Sequence, residues 1–344
     1  MGLLKADEKE LEKLEREKWK RVGITLLKDW RLYVLLLPML IFLFLFKYLP
    51  IYGILTAFKQ ADNTVSVMSQ RWQGLYTLKQ LLFSDGKDGV EFWRAFRNTF
   101  VNSMYGLLIG FPIPIFLALF FTEIKNNAVR SVVQVCVYLP KFMSTIVTCT
   151  IIIVWSRKYS VVGTETYGSG VITRMLEGLK LVHVDDNGHA LLGALEIPRM
   201  FRPIYQVSGI WEGAGYGSIV YFAAALAISP TSYEAARIDG ASKMQQIKYV
   251  TLPGMTSTLA IMLIIRIGHI MSVGYEKIIL LIGDETGAAS ETGDVISTWV
   301  YRKANSPALQ SIGIMGGLLE SLIAMVLVLG ANAVSKQVSN TSLF

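Results

Sequence analysis

The chain has 344 residues, of which 52% are hydrophobic and only 17% charged, too little polar surface for a water-soluble fold of this size. Several apolar runs reach the roughly 20 residues needed to cross a bilayer's hydrocarbon core. The net charge of +7 comes without any basic and aromatic cluster set apart from the membrane flanks, which excludes a nucleic-acid-binding face.

Residues 1–31 interleave Lys and Arg with Asp and Glu and lack the short apolar core of a signal peptide, so a solvated cytoplasmic arm is expected and no cleaved leader. Six membrane spans follow: Leu32 to Phe58, Asn98 to Phe121, Val132 to Trp155, Ile204 to Ile228, Met255 to Ile279, and Ile312 to Val334. The expected fold is therefore all-α, with a transmembrane domain over 32–334 and a short tail over 335–344. Lys and Arg are denser in the first 31 residues, 123–130, 229–254 and the tail than in 59–97, 156–203 and 280–311. That bias puts both termini in the cytoplasm and the three long loops outside.

The third span holds both cysteines, Cys136 and Cys149, thirteen residues apart. On one helix that spacing is roughly 20 Å, so they cannot pair. The fourth span repeats glycine at 209, 213 and 217, with Gly215 and Glu212 interrupting its apolar pattern; the spacing favours a close helix contact, in a helix either continuous or locally broken. Gly313 and Gly317 in the sixth span repeat that spacing. His183, His189 and His269 have no metal-ligand spacing with one another or with cysteine, and no metal site is expected.

Between spans four and five, residues 229–254 read as two short helices. Thr231 with Glu234 and Ser242 with Gln245 have capping-box spacing, Gly240 supplies a left-handed turn between them, and Pro253 separates the second helix from span five. The combination Glu234-Ala235-Ala236-Arg237, then Asp239-Gly240, then Leu252-Pro253 resembles the EAA loop of ABC importer permeases. Further segments, Phe46 to Gly53, Trp93 to Thr99, Tyr138 to Phe142 and Asp294 to Arg302, are similar to the LplB-type branch of MalF-like carbohydrate permeases, with Lys141 standing where that branch often has histidine.

The resemblance implies the six-helix type I importer fold in a prokaryotic cell membrane. It also implies a second, homologous permease, two cytoplasmic ATPase subunits, an external solute-binding lipoprotein and an oligosaccharide cargo. Glu234, Ala235, Ala236, Arg237, Asp239, Gly240, Leu252 and Pro253 would couple the chain to the ATPase. The sequence has no G-x-x-x-x-G-K-[ST] phosphate loop, so ATP and Mg would be bound by the partners and this chain would bind no cofactor.

Intramembrane ionisable groups mark candidate cargo contacts. Arg266, His269, Val273 and Glu276 fall on one stripe if span five is a single helix, and Trp211, Tyr216, Glu212 and Glu320 are further candidates, packing being the competing role for Trp211 and Tyr216. Arg266 would grip a carboxylate, which suits an acidic sugar, or pair with Glu320 or with a carboxylate of the second permease. Two rival functions remain at this level: a permease for a non-carbohydrate solute, and a membrane-embedded glycan-processing enzyme. The enzyme needs two carboxylates at a fixed separation, and no spacing in the chain supplies them.

Overall fold

The computed structural model describes residues 28–60, 67–159, 168–182, 192–271, 274–283 and 290–339. His183 and His189 and most of the arm over 1–31 lie outside the described residues, as does Val273. The chain forms two compact units, Met1–Thr56 and Ala57–Phe344. Helix α1 (Trp30–Leu43), in the first, continues through a π turn at Phe44–Tyr48 into the tight helix Leu49–Phe58, whose last two residues are counted with the second. Trp30–Phe58 is apolar and long enough to cross a membrane.

The second unit is almost wholly helical. Its elements are α2 (Tyr76–Phe83), α3 (Lys87–Leu108), α4 (Pro112–Glu123), α5 (Asn127–Tyr138) and α6 (Thr145–Ser156). A two-residue ladder of β1 (Lys158–Tyr159) with β2 (Gly168–Ser169) and the helix α7 (Val171–Gly178) follow. Next come α8 (Pro198–Leu226), α9 (Pro230–Ile238), α10 (Lys243–Gln246), α11 (Thr256–Gly268) and α12 (Tyr275–Ile282). A single turn, α13 (Ser290–Gly293), leads to α14 (Ile296–Asn305) and the long α15 (Gln310–Ser339). Among the described residues three helices are long and apolar enough to cross a membrane, or six if each of three bent pairs counts as one span.

The bends correct the picture of smooth spans. The third span turns by 92° between α5 and α6: Leu139–Phe142 tightens, Met143 is extended, and Ser144 opens α6 by accepting the Ile146 amide at 3.3 Å. Cys136 and Cys149 thus sit on different helices, the first exposed and the second buried, both free. Span five ends as a helix at Gly268. The Ser103 hydroxyl bonds the Ile270 carbonyl in the break, and Gly274 precedes α12, so Arg266 and Glu276 do not share a helical stripe. Span four, by contrast, is one continuous helix, α8. Pro198 fits its first turn, where the missing N–H has no helical partner.

Three apolar clusters hold the second unit. Cys149 and Ile152 of α6 meet Phe201 of α8 and Ile278 and Leu281 of α12. Leu81 of α2, Phe92 and Ala95 of α3, Ile296 and Trp299 of α14 and Met315 of α15 form another. Ala118 and Leu119 of α4 pack on Tyr221 and Ala225 of α8 and on Met255. Helix α8 joins two of the three, because small residues let its neighbours approach.

The glycine that matters for that approach is not one of the repeated set. A Cβ on Gly215 would lie 2.1 Å from the Val137 carbonyl oxygen of α5, whereas Gly209 and Gly213 have nothing within 4 Å and Gly217 meets only Pro114 at 3.6 Å. Gly215→Ala is expected to destabilise the fold by about 1–3 kcal/mol, as for other overpacked interiors, and so to lower the yield and melting temperature of the assembled protein. Gly209→Ala should leave both unchanged; equal behaviour of the two variants in a thermal melt would refute the assignment. In α15, Gly313 does make a close contact, a Cβ there falling 2.5 Å from the Ala304 amide nitrogen.

At the end of α8 far from α9, polar groups fix the backbone. Asn98, fully buried, donates its amide to the carbonyls of Glu291 and Asp294, both at 2.9 Å. The buried Asp294 carboxylate takes a forked bond from Arg302 at 2.8 and 2.5 Å and another from Thr298 at 2.6 Å. Lys303 bridges Asp88 at 2.6 Å and Glu91 at 2.9 Å. Burial alone pulls the Lys303 ammonium down, but these two carboxylates outweigh it and leave its pKa raised, so the lysine stays charged.

Candidate functional site

Two sites stand out, one in the middle of the second unit and one at the end of α8 that leads into α9. The first is a cavity of about 570 Å³ walled by α3, α4, α8, α11 and the break after α11. Arg266, His269 and Glu212 line it, together with Lys277, Lys141 and Gln206. The break at Leu139–Phe142 brings Lys141 to the wall. Gly209, Gly213 and Gly217 also line the cavity, so the repeated glycines serve as its smooth wall and not as the helix contact their spacing suggests.

Arg266 is set against α3, where Gly106 and Gly110 leave room for it. A Cβ at either position would come within 3.5 or 3.4 Å of its Nη2, which donates to the Gly106 carbonyl at 3.3 Å. Glu212 accepts from the Lys277 ammonium at 2.9 Å, both side chains being largely buried, and the same ammonium lies 5.9 Å from the Tyr205 ring centroid. Glu212 is therefore neutralised within the wall. Among the described residues no carboxylate lies within ion-pair range of Arg266 or Lys141, so Arg266 does not pair with Glu320 and the cavity carries uncompensated positive charge.

Glu276, Trp211 and Glu320 are not part of the cavity wall. Glu276 is exposed in the first turn of α12, Trp211 is exposed on α8, and Glu320 lies on α15. Tyr216 stacks edge-on against Phe142 at 6.2 Å, a packing role. Sequence reasoning missed Lys277, Gln206 and Asn102 as wall residues: Lys277 follows the break after α11, and Asn102 and Gln206 are uncharged residues brought face to face only by the packing of α3 on α8.

The second site is the loop over 229–254. Pro230 opens α9 at its first turn, and Ser229 takes the capping position without a side-chain bond to the helix. The Thr231–Glu234 box is therefore not formed, because the helix is capped at Ser229, ahead of the Thr231 that the box requires; the Thr231 hydroxyl instead meets Ser229 at 2.7 Å. Helix α9 ends as a Schellman motif: the Ala241 amide bonds the Ala236 carbonyl at 2.9 Å, the Gly240 amide bonds Arg237 at 3.0 Å, and Gly240 sits at φ +76°.

Ser242 and Gln245 form the reciprocal cap of α10, at 3.4 and 2.7 Å. A π turn at Ile247–Thr251 then runs into Leu252–Gly254, and the chain bends by 66° into α11. The bend falls at Met255, two residues after Pro253. Tyr233 meets Thr251 at 3.0 Å, and Lys243 pairs with Glu123 at the end of α4 at 3.0 Å. Ile238, Met244 and Tyr249 are exposed around the turn, an apolar, tightly tied protrusion.

The model of the binding-protein-dependent transport system inner membrane component family matches residues 110–340, which contains both the loop and most of the cavity wall. The chain belongs to this family. It is 29% identical over 331 residues to protein LplB of Bacillus subtilis (strain 168), covering 96% of this chain and 92% of that one. To the polygalacturonan/rhamnogalacturonan transport system permease protein YteP of the same organism it is 29% identical over 330 residues, covering 96% and 95%. Among solved structures it is similar to a chain of a bacterial ABC transporter involved in the import of the acidic polysaccharide alginate. The TM-score is 0.78 and the identity 37%, with 93% of this chain and 99% of that one covered. The same resemblance holds for the alginate transporter in complex with an alginate pentasaccharide-bound periplasmic protein, at a TM-score of 0.77 and 36% identity over 92% and 98% of the two chains. The family and these relatives bear out the permease reading drawn from the EAA-like loop.

Proposed function

We propose that this chain is one of two homologous permease subunits of an ATP-driven importer, and that it moves an acidic oligosaccharide from an external solute-binding protein into the cytoplasm. The observation that carries the acidic cargo is the cavity's charge: Arg266 and Lys141 face it without a carboxylate partner, while its one carboxylate, Glu212, is taken by Lys277. A forked guanidinium matches a sugar carboxylate. Relatives described as transporting polygalacturonan and alginate support the same reading. The enzyme alternative is disfavoured, since Glu320 lies away from the cavity and Glu212 is ion-paired. A non-carbohydrate cargo has no observation in its favour.

In this reading both termini and the loop over 229–254 are cytoplasmic, and the loop sits in a groove on one of two ATPase subunits, which bind ATP and Mg. Ile238, Met244 and Tyr249 flank the Gly240 turn as its apolar contacts, with Glu234, Ala235, Ala236, Arg237 and Asp239 on α9 and its end. Leu252 and Pro253 lead the motion into α11, and the Lys243–Glu123 pair leads it into α4. ATPase closure would thereby reshape the cavity that these helices wall.

Uptake and complex yield measured together test the cavity role. Arg266→Gln is expected to cut uptake of an acidic oligosaccharide at least tenfold with normal yield, and His269→Ala to cut it less. Lost assembly, or unchanged uptake in both variants, would show that these side chains do not meet the cargo.

A further inference from the structure

From the cavity wall a ladder of polar groups runs on along the facing sides of α3 and α8, past the lining residues Asn102 and Gln206 to Asn98 and Arg202, which lie beyond the lining. Starting from Arg266 on the Gly106 carbonyl, one turn along α3 lies Asn102, whose carbonyl accepts from the Gln206 amide at 2.8 Å. One further turn along is Asn98, whose side-chain oxygen accepts from Arg202 at 2.7 Å. On α8, Arg202 and Gln206 are likewise one turn apart. Arg202 is thus near the end of α8 remote from the coupling loop, about 36 Å along the helix from Leu226 at 1.5 Å per residue.

Two features of this ladder are not explained by the fold. Asn102 is only 2% exposed, yet both its amide nitrogen and oxygen lack a partner, and it lines the cavity. Buried amides are normally satisfied, so a donor and an acceptor held open side by side suit a hydroxyl of a visiting molecule. Arg202 has a buried Nε without a partner. Among the described residues neither Arg202 nor Arg266 has a carboxylate within ion-pair range. Guanidinium groups without a counter-ion attract an anion.

We propose that Arg202, Asn102, Gln206 and Arg266 form one track that holds two acidic sugar residues at once. One carboxylate rests on Arg202, another on Arg266, and the hydroxyls between them lie on the two amides. Asn98 and Gly106, the α3 residues that receive the two guanidinium groups, are eight residues apart, about 12 Å of helix, which is wider than one sugar ring. The permease itself therefore selects short acidic chains over single acidic sugars, independently of the solute-binding protein. This rests on the acidic-cargo reading above.

The test uses the complex of both permeases and both ATPases in lipid nanodiscs, without the binding protein, titrated with galacturonate and its linear di- and trisaccharide. The wild-type complex is expected to bind the dimer and trimer at least tenfold more tightly than the monomer. Arg202→Gln and Asn102→Leu should each bring that ratio down toward one, with Arg202→Lys, which keeps the charge but not the fork, in between. Equal binding of monomer and trimer by the wild type, or a ratio untouched in both Arg202→Gln and Asn102→Leu complexes of normal yield, would overturn the track. If the ratio fails but Arg266→Gln still weakens every uronate, only the track falls. If no uronate binds the wild-type complex, the acidic-cargo reading falls with it.

Discussion

Replacing Gly240 with valine should stop coupled transport while leaving the chain in the membrane at its normal level. The reason is the backbone and not space: Gly240 has φ +76° and no atom within 4 Å of the position its Cβ would take. A β-branched residue held in that region costs on the order of 1–3 kcal/mol. The Schellman turn through Ala241 and Gly240 would open to relieve it, and the angle between α9 and α10 would be lost. Uptake is expected to fall at least tenfold, together with co-purification of the ATPase. Gly240→Asn is the informative control, because asparagine tolerates the left-handed region far better than valine. Retained uptake in Gly240→Asn with loss in Gly240→Val identifies conformation as the cause. Wild-type uptake in Gly240→Val would show the turn to be dispensable.

Removing the carboxylate of Glu212 should destabilise the assembled protein. Glu212 and Lys277 join α8 to α12 through a 2.9 Å bond with both side chains largely buried. Glu212→Leu leaves the ammonium unpaired in a positively charged cavity wall. Breaking a sealed pair costs about 3–5 kcal/mol; this one borders a cavity and is less sealed, so a loss of about 2 kcal/mol is expected. The double variant Glu212→Leu with Lys277→Met should recover most of that loss, since neither charge is then left unpaired. Thermal melts of the purified complex measure both. A double variant no more stable than the single one would mean that the pair does not hold the two helices together.

What could be read in the sequence divides along physical lines. The loop over 229–254 was legible because caps and glycine turns are local: Ser242 with Gln245 and the Gly240 turn depend on spacing of a few residues. Thr231 misled because Pro230, equally local, starts the helix earlier. The six apolar stretches were legible as membrane-length runs, yet hydropathy is blind to where a helix breaks. The 92° turn after Tyr138 and the end of α11 at Gly268 therefore went unseen, and with them the fact that Glu276 leaves the stripe of Arg266. Pro140 and Ser144 were the available signals for the first break.

The cavity was legible only in part. Arg266, His269 and Glu212 were found because a charged group inside a span demands a reason. Lys277 carries the same signal. Asn102 and Gln206 carry no charge, and nothing in the chain order shows that they face one another. The spacing of Gly209, Gly213 and Gly217 fits a helix contact and a cavity wall equally well; only the placement of α5 against Gly215 decides between them.

Uptake should be measured into vesicles containing the complete transporter, with the binding protein supplied outside and ATP within. Two cargoes should be compared: a galacturonate trisaccharide, and the same trisaccharide with its carboxylates reduced to alcohols, each offered up to saturation of the binding protein. The account predicts ATP-dependent accumulation of the acidic form, at least tenfold faster than the reduced one, and loss of that preference in Arg266→Gln. Equal transport of both forms by the wild type, with Arg266→Gln transporting both as well, would contradict it.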